Sequence, residues 1–343
     1  LTSVNWSVAK KVARRAAGTY PLEGTYHAAL LARQAPGLVD RAAALVSAET
    51  GLDWVGDPNV RVVTRREWAE ANLVSFARLF ALAERALDTG GIGRRMMGRL
   101  VGAEMGALVG VLSRRVLGQY ELVLPADEPE DDGDTVMFVG ANVLWLERQH
   151  EFRPDEFRFW VALHECTHRL QFTGVPWMRD YFLSLVTELV ADATPEEGRV
   201  QRMRDEMKTA AEHGRPVVDE SGIMGLLASP GQKALLDRIQ ALMALLEGHG
   251  HVIMDRIGAR ELVSVDRMSR ALKMRRADPR MAAFMRLTGL EMKMKQYEWG
   301  EKFIRGVERS AGFTALDAVW EGPDHLPTLA EIRDPQRWLE RVA

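Results

Sequence analysis

The sequence predicts an α+β protein that is predominantly α-helical, with a small β-sheet placed ahead of a helix that carries two histidines four residues apart. Three observations point there. Most of the chain repeats its apolar residues at helical spacing. Short β-branched and aromatic runs interrupt that pattern at 60–64, 120–124 and 135–139. Beyond the last run comes Leu163-His164-Glu165-Cys166-Thr167-His168, an HExxH motif. At 343 residues the chain can bury a large core. It divides into a mostly helical region over 1–116 and a metal-binding domain with a helical C-terminal part over 117–343.

Taken in order, Val8, Val12, Ala13 and Ala16 space one amphipathic helix ending near Gly18, and Ala28 to Thr50, closed by Gly51, makes a second. Asp57-Pro58-Asn59 turns the chain into the first strand, and Trp68 to Leu87 returns to helix. Gly98, Gly102, Gly106 and Gly110 then recur every fourth residue, a small-residue seam of the kind that lets helix backbones meet. Arg99 and Glu104 inside it argue for a tightly packed soluble helix and against a membrane span. Strands at 120–124 and 135–139 flank the acidic stretch Asp127 to Asp134, which lacks the ligand order of a calcium loop and reads as a solvated hairpin tip.

Arg153-Pro154-Asp155-Glu156 starts the motif helix, with proline in the first turn and two acids at the positive end of the dipole. Gly174-Val175-Pro176 ends it. Helices follow at 179–193, at 195–214, and from Ser229-Pro230-Gly231-Gln232 toward Gly258; the remainder, including 281–307 and 314–320, is mostly helical.

Two histidines four apart on a helix point the same way, so His164 and His168 can share one Zn²⁺, and Glu165 lies within reach of a water there. Phe157, Trp160, Val161 and Leu163 bury that helix, which a surface coincidence would not require. A catalytic zinc needs a third protein ligand. The HExxHxxGxxH solution fails, because Gln171 and Gly174 occupy its glycine and histidine positions. Glu188, with Asp192 four residues on, has a favourable spacing but shares its stripe with Ser184 and Thr187, a wet face. Glu247 lies in line with Leu236, Ile239, Met243, Gly250 and Met254, where an unpaired carboxylate would be costly and a metal would satisfy it. Glu247 is therefore the preferred third ligand, with Glu188 the alternative and His251 behind both. His249, His251, Asp255 and Tyr297 are candidates for orienting a ligand or stabilising an oxyanion.

The net charge of −3 offers no field for nucleic acid or an anionic membrane. Cys166 is the only cysteine, which fits a reducing compartment, and its place on another side of the helix makes it a small buried hydrophobe. With no run of about 18 apolar residues and no signal-peptide core, a soluble cytoplasmic protein is expected.

Val139-Gly140-Ala141-Asn142, Phe157 through Phe172, Val175-Pro176-Trp177, Leu246-Glu247-Gly248-His249 and Val252-Ile253-Met254-Asp255 together resemble a family of zincin-like hydrolases. The likeness extends to Lys293-Met294-Lys295-Gln296-Tyr297 and to Leu326 through Ile332, so it covers most of the chain. Members are linked, by association alone, with biosynthesis of a deazaflavin coenzyme. The resemblance implies a zincin-like metallopeptidase fold and matches His164, Glu165, His168 and Glu247 to the family's HExxH and EGH-type motifs; Cys166 stands where relatives often carry an aliphatic residue. The expected activity is zinc-dependent hydrolysis of a peptide or small amide, with Glu165 as general base. The alternatives are a non-catalytic metal-binding scaffold and a non-peptide amidohydrolase.

Overall fold

The computed structural model describes residues 4–84, 92–121, 134–191, 230–276 and 291–342. The chain forms two compact units. The first joins Thr2–Arg179 to Gly250–Ala271, and the second joins Asp180–His249 to Leu272–Ala343.

In the first unit, helix α1 (Trp6–Ala17) starts on Asn5, whose side chain accepts a hydrogen bond from the Val8 N–H. Ala9, Ala13 and Ala17 are buried. They face α4 (Ile92–Leu112), where the glycine seam does what its spacing predicts. A Cβ on Gly102 would stand 2.5 Å from the Asn5 carbonyl oxygen, one on Gly110 would stand 2.6 Å from that of Ala13, and one on Gly106 would overlap that of Ala9. Two helix backbones therefore touch along three turns. No helix among the described residues is long and apolar enough to cross a membrane.

Helix α2 (Tyr26–Thr50) ends on Gly51 in the left-handed conformation, as its sequence foretells. Strand β1 (Asn59–Val63) and helix α3 (Arg65–Glu84) follow. Strands β2 (Gly118–Glu121) and β3 (Thr135–Val139) form the expected antiparallel pair, Gly118 lying opposite Phe138. Strand β2 starts two residues earlier than its β-branched run suggests; residues 122–133, with most of the acidic stretch, lie outside the described residues. The sheet order is β1-β3-β2, with β1 parallel to β3. Central β3 is buried at every position, which is why Val136 to Val139 form a continuous apolar run that does not alternate.

Helix α5 (Gly140–His150), which periodicity did not reveal, leaves β3 without a linker and is buried from Gly140 to Leu144. Its Asn142 is the fastener: the amide donates to the carbonyls of Ser113 and Val116 (2.8 and 2.5 Å) and accepts from Arg65 at 2.7 Å.

Helix α6 (Pro154–Thr173) carries the HExxH motif, begins on the expected proline and packs on α2. It is held at two depths. Near its start, Arg158 grips Glu147 of α5 through two hydrogen bonds (2.7 and 2.8 Å), both side chains having little exposure, and donates to Gln34 of α2 at 2.6 Å. Burial pushes the Glu147 carboxyl up, against the pull of the Arg158 guanidinium. Nearer its end, the fully buried Arg169 donates to both Asp134 oxygens (2.8 and 2.6 Å) and to the Val55 carbonyl at 2.7 Å, with its guanidinium over the Trp54 ring. Cys166 is wholly buried with its sulfur 3.7 Å from the Val39 carbonyl oxygen, and burial pushes its thiol up. It is the inert filler expected.

Helix α7 (Met178–Ala191) follows the Gly174 break. Helix α8 (Pro230–Glu261) runs unbroken for 32 residues, its part from Gly250 belonging to the first unit, and α9 (Val265–Arg276) comes next. The single apolar stripe expected on α8 is too narrow: residues 244–254 are buried on every side. The expected helix at 195–214 and the Ser229 cap lie outside the described residues.

In the second unit, α8 crosses α10 (Glu291–Ala311) at Gly248 and Gly300, whose backbones touch. Two 3₁₀ turns, Phe313–Trp320 and Pro323–His325, lead to α11 (Leu329–Arg333), which opens on a Thr328/Glu331 capping box, and to α12 (Pro335–Val342). Trp338 of α12 is fully buried edge-on to Phe303 and donates to the His325 carbonyl at 2.8 Å.

The α1–α4 contact is backbone on backbone and has no flexible atom to give way. Gly106→Ala should therefore lower unfolding stability by about 2 kcal/mol or more in urea denaturation, although alanine is the better helix former. A stability equal to or above wild type would contradict this packing.

Candidate metal centre

One turn of α6 places His164 and His168 on the same face. Their ring centroids are 4.4 Å apart with planes at 79°, and their Nε2 atoms face each other at 3.1 Å. The outer nitrogen of the second ring is also engaged: His168 Nδ1 lies 3.0 Å from Gln171 Oε1, one turn further along the helix. With Nδ1–H donating to that oxygen, Nε2 presents its lone pair toward His164.

The room for both rings comes from α8. A Cβ on Gly250 would stand 3.2 Å from His164 Nδ1 and 3.3 Å from Cε1 of each ring, tighter than ordinary van der Waals contact. His251, 8% exposed, sets its ring 5.2 Å from that of His164. One turn before Gly250 on the same helix is the buried Glu247. One ligand atom from each of His164, His168 and Glu247 lies within 4.8 Å of the others.

The donor set fits zinc. Two nitrogens at about 2.0–2.1 Å from a tetrahedral ion stand about 3.3 Å apart, close to the separation of the facing Nε2 atoms. Two imidazoles and one carboxylate also leave a coordination position for water or substrate, as a catalytic site needs.

Glu165 follows His164 on α6. It is 4% exposed, and its carboxylate lies against the backbone of Gly118 at the start of β2. Two residues along the same strand face, Tyr120 stacks on Phe172 of α6 with centroids 6.2 Å apart. Burial and the neighbouring Asp134 carboxylate hold the Tyr120 phenol neutral, well above its ordinary range.

The HExxH motif is an array that a zincin would use, and comparison with known proteins decides the family. The chain matches the zincin-like metallopeptidase family over residues 4–339. It belongs to that family. A crystal structure of a proposed hydrolase with a novel fold, from Chloroflexus aurantiacus, shares 31% sequence identity with this zincin-like chain and superposes with a TM-score of 0.72, covering 98% of each chain. No curated protein matches. The family implies a metal ion, and the residues gathered here are chemically suited to one.

The other expected residues are distributed unevenly. Glu188 is exposed on α7 and is not part of the three-residue group. His249, 3% exposed, packs edge-on against Trp320 at 5.1 Å. Asp255 is half-buried on α8, one turn beyond His251. Tyr297 lies in α10, and its side chain is outside the described residues. Gln171 and Gly118 were not anticipated as contributors, and Gly250 was expected only to allow the close approach of an unidentified partner. Gln171 carries a readable signal, since it follows His168 by three residues on a helix. Gly250 is legible as a helix-weakening residue whose partner is unnamed, and Gly118 has no signal in the sequence.

If Gly250 makes space for the two imidazoles, Gly250→Ala should weaken zinc binding about 10-fold or more in a chelator competition titration, with the far-ultraviolet circular dichroism of wild type. Unchanged affinity would show that the rings do not depend on that contact.

Proposed function

We propose that this zincin-like protein is a zinc-dependent hydrolase that cleaves an amide bond in a peptide or small amide substrate. The observation that carries the proposal is the pair of facing imidazole nitrogens on α6, with Glu165 adjoining His164 in sequence and Glu247 supplying a nearby carboxylate.

In this reading His164, His168 and Glu247 hold the ion. Bound zinc supplies Lewis acidity, lowering the pKa of a water and polarising the scissile carbonyl. Gln171 fixes the ring orientation and tautomer of His168. Glu165, ionised at the start of the cycle, takes a proton from the attacking water as its oxygen bonds to the carbonyl carbon. It then returns that proton to the leaving nitrogen as the carbon–nitrogen bond breaks. The base therefore ends the cycle as it began. The His251 ring beside His164 places a further polar group at the rim of the site, suited to orienting the substrate or the developing oxyanion.

The test is a peptide-library cleavage screen run beside elemental analysis. Wild type should carry one zinc per chain and cleave. Glu165→Gln should keep the zinc and lose activity about 100-fold or more. Stoichiometric zinc with no cleavage by wild type would favour a metal-binding scaffold, and full turnover by the variant would remove the base assignment.

A further inference from the structure

The space beside Glu165 is unusual because it is provided by a strand and not by another helix. Gly118 opens β2, and a Cβ built on it would fall 2.6 Å from Glu165 Cγ, 2.6 Å from Oε1 and 2.8 Å from Cδ. No side chain other than hydrogen fits while the carboxylate stays where it is. The backbone does not demand glycine: Gly118 is absent from the glycines of left-handed conformation, and it pairs regularly opposite Phe138. What it provides is room for a neighbour.

We propose that Gly118 is a positioning residue, the seat that fixes the rotamer of the Glu165 carboxylate. The strand is itself immobilised. It pairs with fully buried β3, Asn72 and Gln119 exchange amide hydrogen bonds at 3.3 Å, and Ser75 donates to Glu121 at 3.1 Å, so Gln119 and Glu121 of β2 are tied to α3. On the other side of the contact, α6 is anchored by Arg158 and Arg169. Neither backbone can retreat easily from an added methyl group. The Glu165 side chain is the part that must turn, and turning moves the oxygens without disturbing the imidazoles one residue before it and three after it.

This inference rests on the hydrolase reading only for its consequence in catalysis; the contact itself is tested without any substrate. Gly118→Ala would be made alone and in a Glu165→Ala background, and the four proteins compared by thermal unfolding. With Glu165 present the substitution should lower the Tm. With Glu165 removed, the same alanine should leave the Tm unchanged or raise it, because it fills the vacated space and restricts the unfolded chain. An equal loss in both backgrounds would overturn the proposal.

Zinc affinity of Gly118→Ala, by chelator competition, should stay within 2-fold of wild type; loss of zinc would mean that the glycine acts through the ligands and would also overturn it. On any peptide cleaved in the library screen, kcat should fall about 10-fold or more with KM little changed. Coupling in the unfolding experiment together with full activity of Glu165→Gln would keep the seat and discard Glu165 as the base, so the two ideas fail separately.

Discussion

Two imidazole nitrogens facing each other at 3.1 Å are the constraint around which this protein is built. Their closeness is favourable if one of them alone carries a proton toward the other, or if a cation lies between them. The hydrogen bond from His168 to Gln171 spends that ring's proton on the outside and leaves its Nε2 free to accept a hydrogen bond or to ligate a cation. Glu247 is likewise buried, where a charge is costly unless it is paired or bound to a metal.

The rest of the first unit keeps those nitrogens in place. An i,i+4 pair is only as well aligned as its helix, and α6 is fixed near its start and near its end by buried arginines gripping Glu147 and Asp134. Buried ion pairs of this kind add little net stability, but they cost several kcal/mol to break, so they specify one position for the helix. Glycines then set how near the neighbours come. Gly250 admits the rings, Gly118 admits the Glu165 carboxylate, and the α4 seam brings a second helix against α1. In each case the absent side chain is what shapes the surroundings.

Much of this was legible in the sequence, for physical reasons that differ by element. The α6 start was readable because proline and two acids satisfy a helix N-terminus locally. Strand β3 is readable because Val136 to Val139, buried on both faces, form an unbroken apolar run. The apolar neighbours of Glu247 and the polar stripe of Glu188 are legible in the sequence as a buried and a wet face, and the two side chains are buried on α8 and exposed on α7 respectively. Parallel pairing of β1 with β3 was not readable, since strands more than seventy residues apart leave no local mark of their register. Helix α5 was missed because it is buried on several sides and shows no amphipathic period. Gly118 was invisible because its reason for being glycine lies 47 residues away, in a side chain of another element.

The most direct measurement is a crystal structure of the zinc-soaked protein with data collected on both sides of the zinc absorption edge. The account predicts one anomalous peak within about 2.0–2.2 Å of Nε2 of His164, Nε2 of His168 and a carboxylate oxygen of Glu247. A peak ligated elsewhere, or imidazoles of α6 turned from each other with no ion near them, would contradict it.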